Sequence, residues 1–281
     1  MYSRRCVDVF INGNFVPAAQ AAVSVQDRGL LYGDGLFETL RAEAGGPVWL
    51  RRHLKRLTDS AAAINITLPT DFPWEGHICA LLRRNALENS LAAVKILVTR
   101  GETPVLGLPP AHQPTIILYA RPYTPPTPAE YREGWPVVSF PEPRRSFLSR
   151  HKSLNYLFCL AARQYALDHG GREGLIFEAD GSVSEGAATA LLWQEDKHFF
   201  TPSAPGALPS VTLAVLREAL SRTGIPLMAV RASVARLAAA AGLWLANSLM
   251  GLLPVASLDG RKLPVSPETE DLNRLLWSEA G

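Results

Sequence analysis

The sequence lacks the features that mark secreted, membrane-bound and nucleic-acid-binding proteins. Its three cysteines, Cys6, Cys79 and Cys159, are odd in number and far apart, which argues against a disulfide framework and gives no metal-ligand spacing. No apolar run reaches the roughly 20 residues that span a bilayer, and residues 1–5 do not lead into the apolar core of a signal peptide. The net charge of +2 gives no reason to expect binding to nucleic acid or to a membrane surface. We therefore expect a cytoplasmic protein without a metal site.

The composition is that of an ordinary globular protein, with 47% hydrophobic and 19% charged residues. A chain of 281 residues fits two domains of roughly 100–150 residues each. Four prolines lie between Arg121 and Pro128, and because proline fixes φ and removes a donor, this stretch predicts a stiff connector. We expect a small N-terminal α/β domain at 1–120, a proline-rich linker at 121–130 and a larger C-terminal α/β domain at 131–281.

Alternating strand-like and helix-like patterns indicate an α/β (α+β) fold. Val7–Ile11 alternates polar and apolar residues and precedes a hairpin turn at Asn12–Asn14. Apolar residues at helical spacing predict a helix over 51–66. Two further helices are predicted over 154–168 and 211–223. The other predicted strands are 36–41, 48–50, 94–98, 115–119, 135–140, 174–177, 190–193 and 243–246.

Lys152 is the first candidate for chemistry, because it follows a strand and a loop and immediately precedes a predicted helix. The N-terminus of a helix carries partial positive charge, and Arg150 and His151 add to the repulsion. A partly buried amine in this place would have a lowered pKa, which is what a lysine needs to form a Schiff base. The alternative is an exposed basic loop.

A glutamate in the segment 178–188 is the second candidate, since the segment joins small-residue turns to two apolar strands. An acid that points into a pocket there would keep a heteroaromatic ring nitrogen protonated. The alternative is a solvated acid in a turn.

The segment 206–213 combines a loop of small residues with a helix start, entered through Pro209 and Ser210. Backbone N–H groups and a hydroxyl in such a place can bind an anion, and an ordinary N-cap has the same pattern. Ser248, in a turn after a strand, could supply another hydroxyl. Arg56 could supply positive charge, and the alternative for Arg56 is a solvated helical arginine.

These segments occur in a fixed order, and with two others they resemble the class IV (fold-type IV) pyridoxal-phosphate aminotransferase family. The resemblance covers the chain from about Asp8 to about Gly260. It rests on five blocks, which are Asp27–Thr39, His53–Leu57, Lys152–Tyr156, Ser184–Gly186 and Leu208–Thr212. The resemblance implies a two-domain fold with pyridoxal 5′-phosphate at the domain interface, and a homodimer that acts on a small amino substrate.

The resemblance also implies the role of individual residues. Lys152, in the C-terminal domain, would be the Schiff-base lysine and the general base, and Glu185 would be the partner of the pyridine nitrogen. Tyr156 would lie near the cofactor's phenolic oxygen. The residues implied to hold the phosphate are Arg56, Val211, Thr212 and Ser248.

Two stretches are similar to the aminodeoxychorismate lyases of the family. Asn247–Met250 matches their Asn-Ser-Leu-Met run, whereas branched-chain aminotransferases tend to carry a small turn that lends backbone donors to a substrate carboxylate. Leu249 and Met250 would make this wall bulkier, or they are core side chains under the turn. Leu36–Arg41 is also similar to the lyases, in which the threonine, here Thr39, faces the reacting carbon; the alternative is a threonine packed by its methyl group.

Two departures from the family pattern affect the substrate prediction. The stretch 102–108 lacks the arginine with which lyases and D-amino-acid aminotransferases grip a substrate carboxylate. Arg41 and Arg100 are the candidates to replace it. Ala187–Ala190 also stands where an asparagine-containing turn is usual. The residues predicted to contact substrate are Tyr32, Phe37, Arg41, Arg100, Asn247, Leu249 and Met250.

The predicted function is that of a 4-amino-4-deoxychorismate lyase, which releases 4-aminobenzoate and pyruvate in folate biosynthesis. The alternative is an aminotransferase for branched-chain L-amino acids or for D-amino acids. A third hypothesis is a protein that binds the cofactor without turnover. The presence of both Lys152 and Glu185 argues against that third hypothesis.

Overall fold

The computed structural model describes residues 7–111 and 113–279. Cys6, the outermost residues of the two predicted domains and the stretch examined for a signal peptide lie outside the described residues. The chain forms two compact units. The first unit ends at Thr124 and also contains His151–Asn155, and the second contains Pro125–Arg150 and the chain from Tyr156 onward.

In the described part of the first unit, six strands form one antiparallel sheet, flanked by helices. The strand order is β2-β1-β6-β5-β3-β4. The strands are β1 (Asp8–Ile11), β2 (Asn14–Pro17), β3 (Gly35–Glu43), β4 (Gly46–Pro47), β5 (Ala92–Thr99) and β6 (Thr115–Pro122), and the helices are α1 (Arg28–Tyr32), α2 (Leu50–Ala63) and α3 (Trp74–Arg84), with a 3-10 turn at Ala18–Gln20.

Side-chain alternation along β3 separates the two faces of this sheet. The even-numbered residues Leu36, Glu38 and Leu40 are at most 1% exposed. Glu38 contacts His53 and Arg56 on α2, so this face packs against the helix. The odd-numbered residues of β3 therefore lie on the opposite face.

In the described part of the second unit, nine strands form a mixed sheet in the order β12-β11-β10-β13-β14-β7-β8-β9, with β15 beside β14. The pairs β11–β12, β14–β7 and β7–β8 are parallel. The strands are β7 (Trp135–Ser139), β8 (Glu173–Phe177), β9 (Val183–Gly186), β10 (Ala190–Glu195), β11 (His198–Pro202), β12 (Leu227–Val230), β13 (Gly242–Asn247), β14 (Gly251–Leu258) and β15 (Arg261–Lys262), and the helices are α4 (Pro128–Glu133), α5 (Leu157–Asp168), α6 (Val211–Arg222), α7 (Val234–Leu237) and α8 (Thr269–Trp277).

The core of the second unit lies on the sheet around the fully buried Trp193, Leu245 and Val255. Helix α5 covers a smaller cluster that contains Ala162 and Ile176. Helix α6 has an apolar face that includes Val215 and Leu216. Burial of these apolar side chains is the main stabilising contribution to the unit.

The α/β fold is confirmed, and several boundaries differ from the prediction. The stretch 121–130 is not one connector, since β6 runs to Pro122 and α4 begins at Pro128 under a Thr127 capping box. The strand predicted at 48–50 is wrong: the short strand is Gly46–Pro47, residues 48 and 49 form a turn, and α2 begins at Leu50. Helix α3 was not predicted.

The placement of Lys152 in the C-terminal domain is wrong. Residues 151–155 belong to the first unit, because Phe37 N–H donates to the Lys152 carbonyl (2.8 Å) and Leu154 N–H donates to the Gly35 carbonyl (2.9 Å). These bonds also explain why the helix predicted from 154 begins at Leu157: the preceding backbone is engaged with β3.

The described residues contain neither a candidate membrane span nor a candidate metal site. None of the helices there combines the length and the apolar character needed to cross a membrane. No group of three or more His, Cys, Asp or Glu side chains there could hold a metal ion.

Candidate active site

Lys152 lies beside the start of β3, where residues 151–155 run along the strand. An isolated bridge joins Ser153 to Leu36, and the Lys152 Nζ lies 4.7 Å from the centre of the Phe37 ring. The interpretation of Lys152 as a residue of a helix N-terminus is wrong, since α5 begins five residues later and the helix dipole falls off within the first turn. The groups around the Lys152 side chain belong instead to β3 and to the elements beside that strand.

Glu38, His53 and Arg56 form a buried charged cluster in the same unit. Arg56 donates from Nε (2.7 Å) and Nη2 (2.6 Å) to the two carboxylate oxygens of Glu38, and His53 Nδ1 lies 2.8 Å from Glu38 Oε2. Burial acts to raise the Glu38 pKa, but the hydrogen bonds from Arg56 and His53 outweigh it and lower the pKa to about 2. Glu38 is therefore a carboxylate at neutral pH.

His53 is held neutral in this cluster. The ring is fully buried, and burial, with the charges of Arg56 and Lys152, lowers its pKa although Glu38 acts to raise it. Because the Glu38 carboxylate can only accept, the proton of neutral His53 is on Nδ1. His53 Nε2 is then a buried acceptor, and it has no hydrogen-bond partner among the described residues.

The opposite face of the sheet carries a group of basic side chains. The sheet register pairs Thr39 with Lys95 and pairs both Arg41 and Arg121 with Ala93, which lies between them. Since odd-numbered residues share this face, the cations surround a position where the side chain is only a methyl group. We call Arg41, Lys95 and Arg121 the cationic face.

Lys95 has no acidic partner within hydrogen-bond distance among the residues that the structure describes. Its Nζ lies 4.5 Å from the centre of the Phe37 ring, over which Lys152 also lies. Burial and the charge of Arg121 lower the Lys95 pKa. Arg41 pairs with the half-exposed Glu43 (2.9 Å). The cationic face therefore has an excess of positive charge, which suits a carboxylate ligand.

Arg100 does not belong to this face, and its prediction as a substrate contact is wrong. Its side chain is fully buried and donates to both oxygens of Asp34, with Nε at 2.7 Å and Nη2 at 2.9 Å. The remaining guanidinium hydrogens bind backbone carbonyls, among them those of Ile64 and Pro109. The guanidinium is thus saturated within the protein, and no donor remains for a substrate.

The other predicted contact near this region is Tyr32 on α1. Its ring is about half-exposed and lies 5.0 Å from the Arg28 guanidinium. Arg28 in turn donates to Asp34 and to the carbonyls of Val105 and Gly107. These hydrogen bonds hold in place the guanidinium that the Tyr32 ring contacts.

Glu185 lies on β9 in the second unit and is only 8% exposed. Its Oε1 is 2.7 Å from Arg144 Nη2, and its Oε2 accepts from the backbone N–H of Leu208 (3.0 Å). A buried acid with both charge-assisted contacts is held in one position. Such a group can partner a protonated ring nitrogen.

Tyr156 precedes α5 in the same unit. Its hydroxyl donates to the Ala187 carbonyl (2.8 Å). Burial, reinforced by the charges of Glu185 and Glu173, raises the Tyr156 pKa. The phenol is therefore protonated at neutral pH and acts as a donor.

The start of α6 joins two hydroxyl groups to a helix N-terminus. Ser210 caps the helix by accepting from Leu213 N–H (3.2 Å). Thr212 Oγ1 lies 3.4 Å from Ser248 Oγ, and Val211 and Thr212 occupy the first turn. Backbone N–H groups at a helix start together with hydroxyl groups are the donor set that phosphate prefers.

The turn Asn247–Met250 is closed by its own first side chain. Asn247 Oδ1 accepts from the N–H groups of Leu249 and Met250, both at 3.0 Å. Leu249 is half-buried. Met250 is 4% exposed and packs in the core of the unit, as the alternative of a core side chain under the turn describes, and its contact with substrate stays a prediction.

The residues predicted to bind or act beside the cofactor are divided between the two units of the chain. Lys152, Phe37, Thr39 and Arg56 are in the first unit, and Glu185, Tyr156, Thr212 and Ser248 are in the second. Lys95, Arg121 and Arg144 were missed. A signal for Lys95 was present, because a single lysine inside the apolar strand Ala92–Thr99 indicates that one face of that strand is not core.

Comparison with known proteins gives a consistent result. The family model "Amino-transferase class IV" matches residues 35–258. An aminodeoxychorismate lyase from Bacillus subtilis is 26% identical over 89% of this chain and 86% of its own length. A D-alanine aminotransferase from Staphylococcus epidermidis is 29% identical over 91% of this chain and 90% of its own. The solved structure of a hypothetical aminotransferase from Mycobacterium tuberculosis, in its PLP-bound form, is 24% identical with a TM-score of 0.84, covering 97% of this chain and 98% of that one.

Proposed function

The chain belongs to the class IV aminotransferase family, and within that family we propose that it is a lyase that converts 4-amino-4-deoxychorismate to 4-aminobenzoate and pyruvate. The enzyme uses pyridoxal 5′-phosphate (PLP), as the family and the PLP-bound structure with the same fold indicate. Aminotransferases are the second candidate, because relatives named as a putative branched-chain-amino-acid aminotransferase and a D-alanine aminotransferase are 32% and 29% identical to this chain, and the lyase is 26% identical.

The residues present fit this cofactor in kind. We assign its aldehyde to Lys152, its ring nitrogen to the buried carboxylate of Glu185, and its phosphate to the first turn of α6 with Thr212 and Ser248. Arg56 remains a predicted phosphate contact, and in the structure its Nε and Nη2 bind Glu38. A lysine, a buried acid and hydroxyls at a helix start are the donor set that an aldehyde-bearing, phosphorylated pyridine requires.

When bound, pyridoxal phosphate would supply an aldehyde for the substrate amine and an electron sink for the adjacent carbon. Lys152 Nζ then takes the proton from that carbon as general base and returns it to the departing three-carbon group as it becomes pyruvate. Glu185 keeps negative charge beside the ring nitrogen. Thr39, half-buried beside Lys95, is proposed to contact the reacting region.

The closed turn at Asn247–Met250 is the observation that carries the lyase proposal. In branched-chain aminotransferases the corresponding turn lends backbone N–H groups to a substrate carboxylate. Here Asn247 Oδ1 already accepts from the N–H groups of Leu249 and Met250. Because these two N–H groups already donate within the turn, they are not available to bind a substrate carboxylate in that way.

The cationic face offers a replacement for the arginine that the stretch 102–108 lacks. The substrate of the lyase carries two carboxylates, and Lys95, Arg41 and Arg121 supply excess positive charge next to Thr39. This supports an anionic substrate over one with a purely apolar side chain, since an aliphatic side chain gains nothing from a desolvated cation.

The test is to add 4-amino-4-deoxychorismate to the cofactor-loaded enzyme without any keto acid. We expect 4-aminobenzoate and pyruvate in equal amounts, no product with Lys152→Ala, and unchanged rates with Lys55→Ala, an exposed lysine on α2. If no product forms, and amino-group exchange occurs instead between D- or branched-chain L-amino acids and a keto acid, the enzyme is an aminotransferase.

We also propose that the protein is a cytoplasmic homodimer, as the family resemblance implies. Exposed apolar side chains on α1 and on the neighbouring loop support this proposal, namely Leu30, Leu31, Val105 and Leu106, each more than half exposed. Light scattering after size-exclusion chromatography should give twice the 30.6 kDa chain mass. Replacing Leu30 and Leu106 together by lysine should give the monomer mass.

A further inference from the structure

Arg144 is a buried arginine in the segment between β7 and α5, and no role in the reaction has been assigned to it so far. It is 9% exposed, and its backbone N–H donates to the Phe177 carbonyl (2.9 Å), which ties the segment to the end of β8. Burying a guanidinium without a partner is costly. The contacts of its side chain therefore indicate what the charge does.

One nitrogen of Arg144 makes two strong contacts. Nη2 lies 2.7 Å from Glu185 Oε1 and donates to the carbonyl of Gly206 at 2.6 Å. A weaker contact to Ser184 Oγ is 3.3 Å long, and Arg144 Nε is buried without a hydrogen-bond partner among the described residues. The guanidinium thus bridges Glu185 and Gly206, while its Nε–H has no acceptor among the described residues.

Both carboxylate oxygens of Glu185 help to hold the loop that contains Gly206. While Oε1 meets Arg144, Oε2 accepts from the Leu208 N–H at 3.0 Å. The loop is also tightly packed, since a Cβ at Gly206 would lie 2.8 Å from Glu178 Oε1. Two residues after Leu208 comes Ser210, the N-cap of α6.

We propose that Arg144 is a positioning residue that holds the Glu185 carboxylate and the loop before α6 in one fixed relation. Arg144 would thereby fix the position of the Glu185 carboxylate, the proposed partner of the ring nitrogen. It would also fix the start of α6, the proposed phosphate site. The inference rests on the proposed use of pyridoxal phosphate. The role proposed for Arg144 acts through Glu185 and Gly206, which its side chain contacts.

The test is to titrate the apoenzyme with pyridoxal phosphate and to record its absorbance spectrum, in the wild type and in three variants. Arg144→Gln removes the charge, Arg144→Lys keeps the charge on a shorter side chain, and Arg145→Ala is the matched control at the neighbouring, exposed arginine. We expect the dissociation constant to rise at least about tenfold in Arg144→Gln, as for the loss of one charge-assisted hydrogen bond.

The pattern among the variants identifies a positioning role. Arg144→Lys should recover part of the affinity and the wild-type absorbance maximum, and Arg145→Ala should match the wild type in both. Thermal unfolding of each apoenzyme separates misfolding from weak binding. Equal affinity and spectrum in the wild type and a folded Arg144→Gln variant would overturn the role of Arg144 alone. Failure of the wild type to bind pyridoxal phosphate would instead overturn the proposed function.

Discussion

Replacing Glu38 by glutamine should destabilise the protein by about 3 kcal/mol at pH 7. A carboxyl pKa lowered from 4.5 to about 2 corresponds to about 3 kcal/mol of additional stability when the group is ionised. The side chain is only 1% exposed, so solvent screening does not reduce this value. Removing one member of a buried ion pair costs about 3–5 kcal/mol in other proteins, which is the same range.

The pH dependence tests the electrostatic origin of this effect. The Glu38 pKa is lower in the folded than in the unfolded state, so the stabilisation is present above about pH 4.5 and is lost as the pH falls toward 2. The difference between wild type and variant in the free energy of unfolding should therefore shrink to about 2 kcal/mol near pH 3.5. Urea unfolding curves at both pH values measure it.

The matched control is Glu43→Gln in the same strand. Glu43 pairs with Arg41 at 2.9 Å, but its side chain is 50% exposed, and exposed ion pairs contribute about 1 kcal/mol or less. A Glu38→Gln variant no less stable than Glu43→Gln would refute the reasoning. A difference from the wild type that stays constant between pH 7 and pH 3.5 would show that packing, and not charge, is responsible.

Three further variants test separate parts of the structure. Asp34→Ala removes the carboxylate that two buried arginines bind, so we expect faster limited proteolysis within 102–110. Gly174→Ala places a Cβ in steric conflict with the Ala162 carbonyl oxygen, and its thermal unfolding midpoint should fall by several degrees. Lys95→Met should raise KM for a dicarboxylic substrate about tenfold or more, and unfolding in urea should show no loss of stability.

The features that the sequence predicted best depend on neighbouring residues in the chain. The Ser210 cap and the start of α6 were readable because the hydroxyl binds an N–H only three residues away. The hairpin at Asn12–Asn14 is also local, with Asn12 and Gly13 both at positive φ. In each case the residues that determine the structure lie within a few positions of one another, so a local sequence pattern includes all of them.

The features that failed depend on contacts between distant residues. The helix expected from 154 begins at Leu157 because the backbone of 152–154 pairs with β3, more than a hundred residues away. Arg100 looked available because the neighbouring sequence does not reveal which acid it binds. Its partner, Asp34, is 66 residues away, and only the fold brings the two side chains together.

The single strand β3 explains why neighbouring residues of the candidate site differ so much in environment. Its even face buries Glu38 against His53 and Arg56, and its odd face presents Phe37 and Thr39 beside Lys95. A register slip by one residue would exchange the two faces, leaving a carboxylate among the cations and a phenyl ring against Arg56. The buried ion cluster thus stabilises the observed register, because a slip would take the Glu38 carboxylate away from Arg56 and His53. The contacts that hold Glu38 against α2 therefore also place Phe37 and Thr39 on the proposed substrate face.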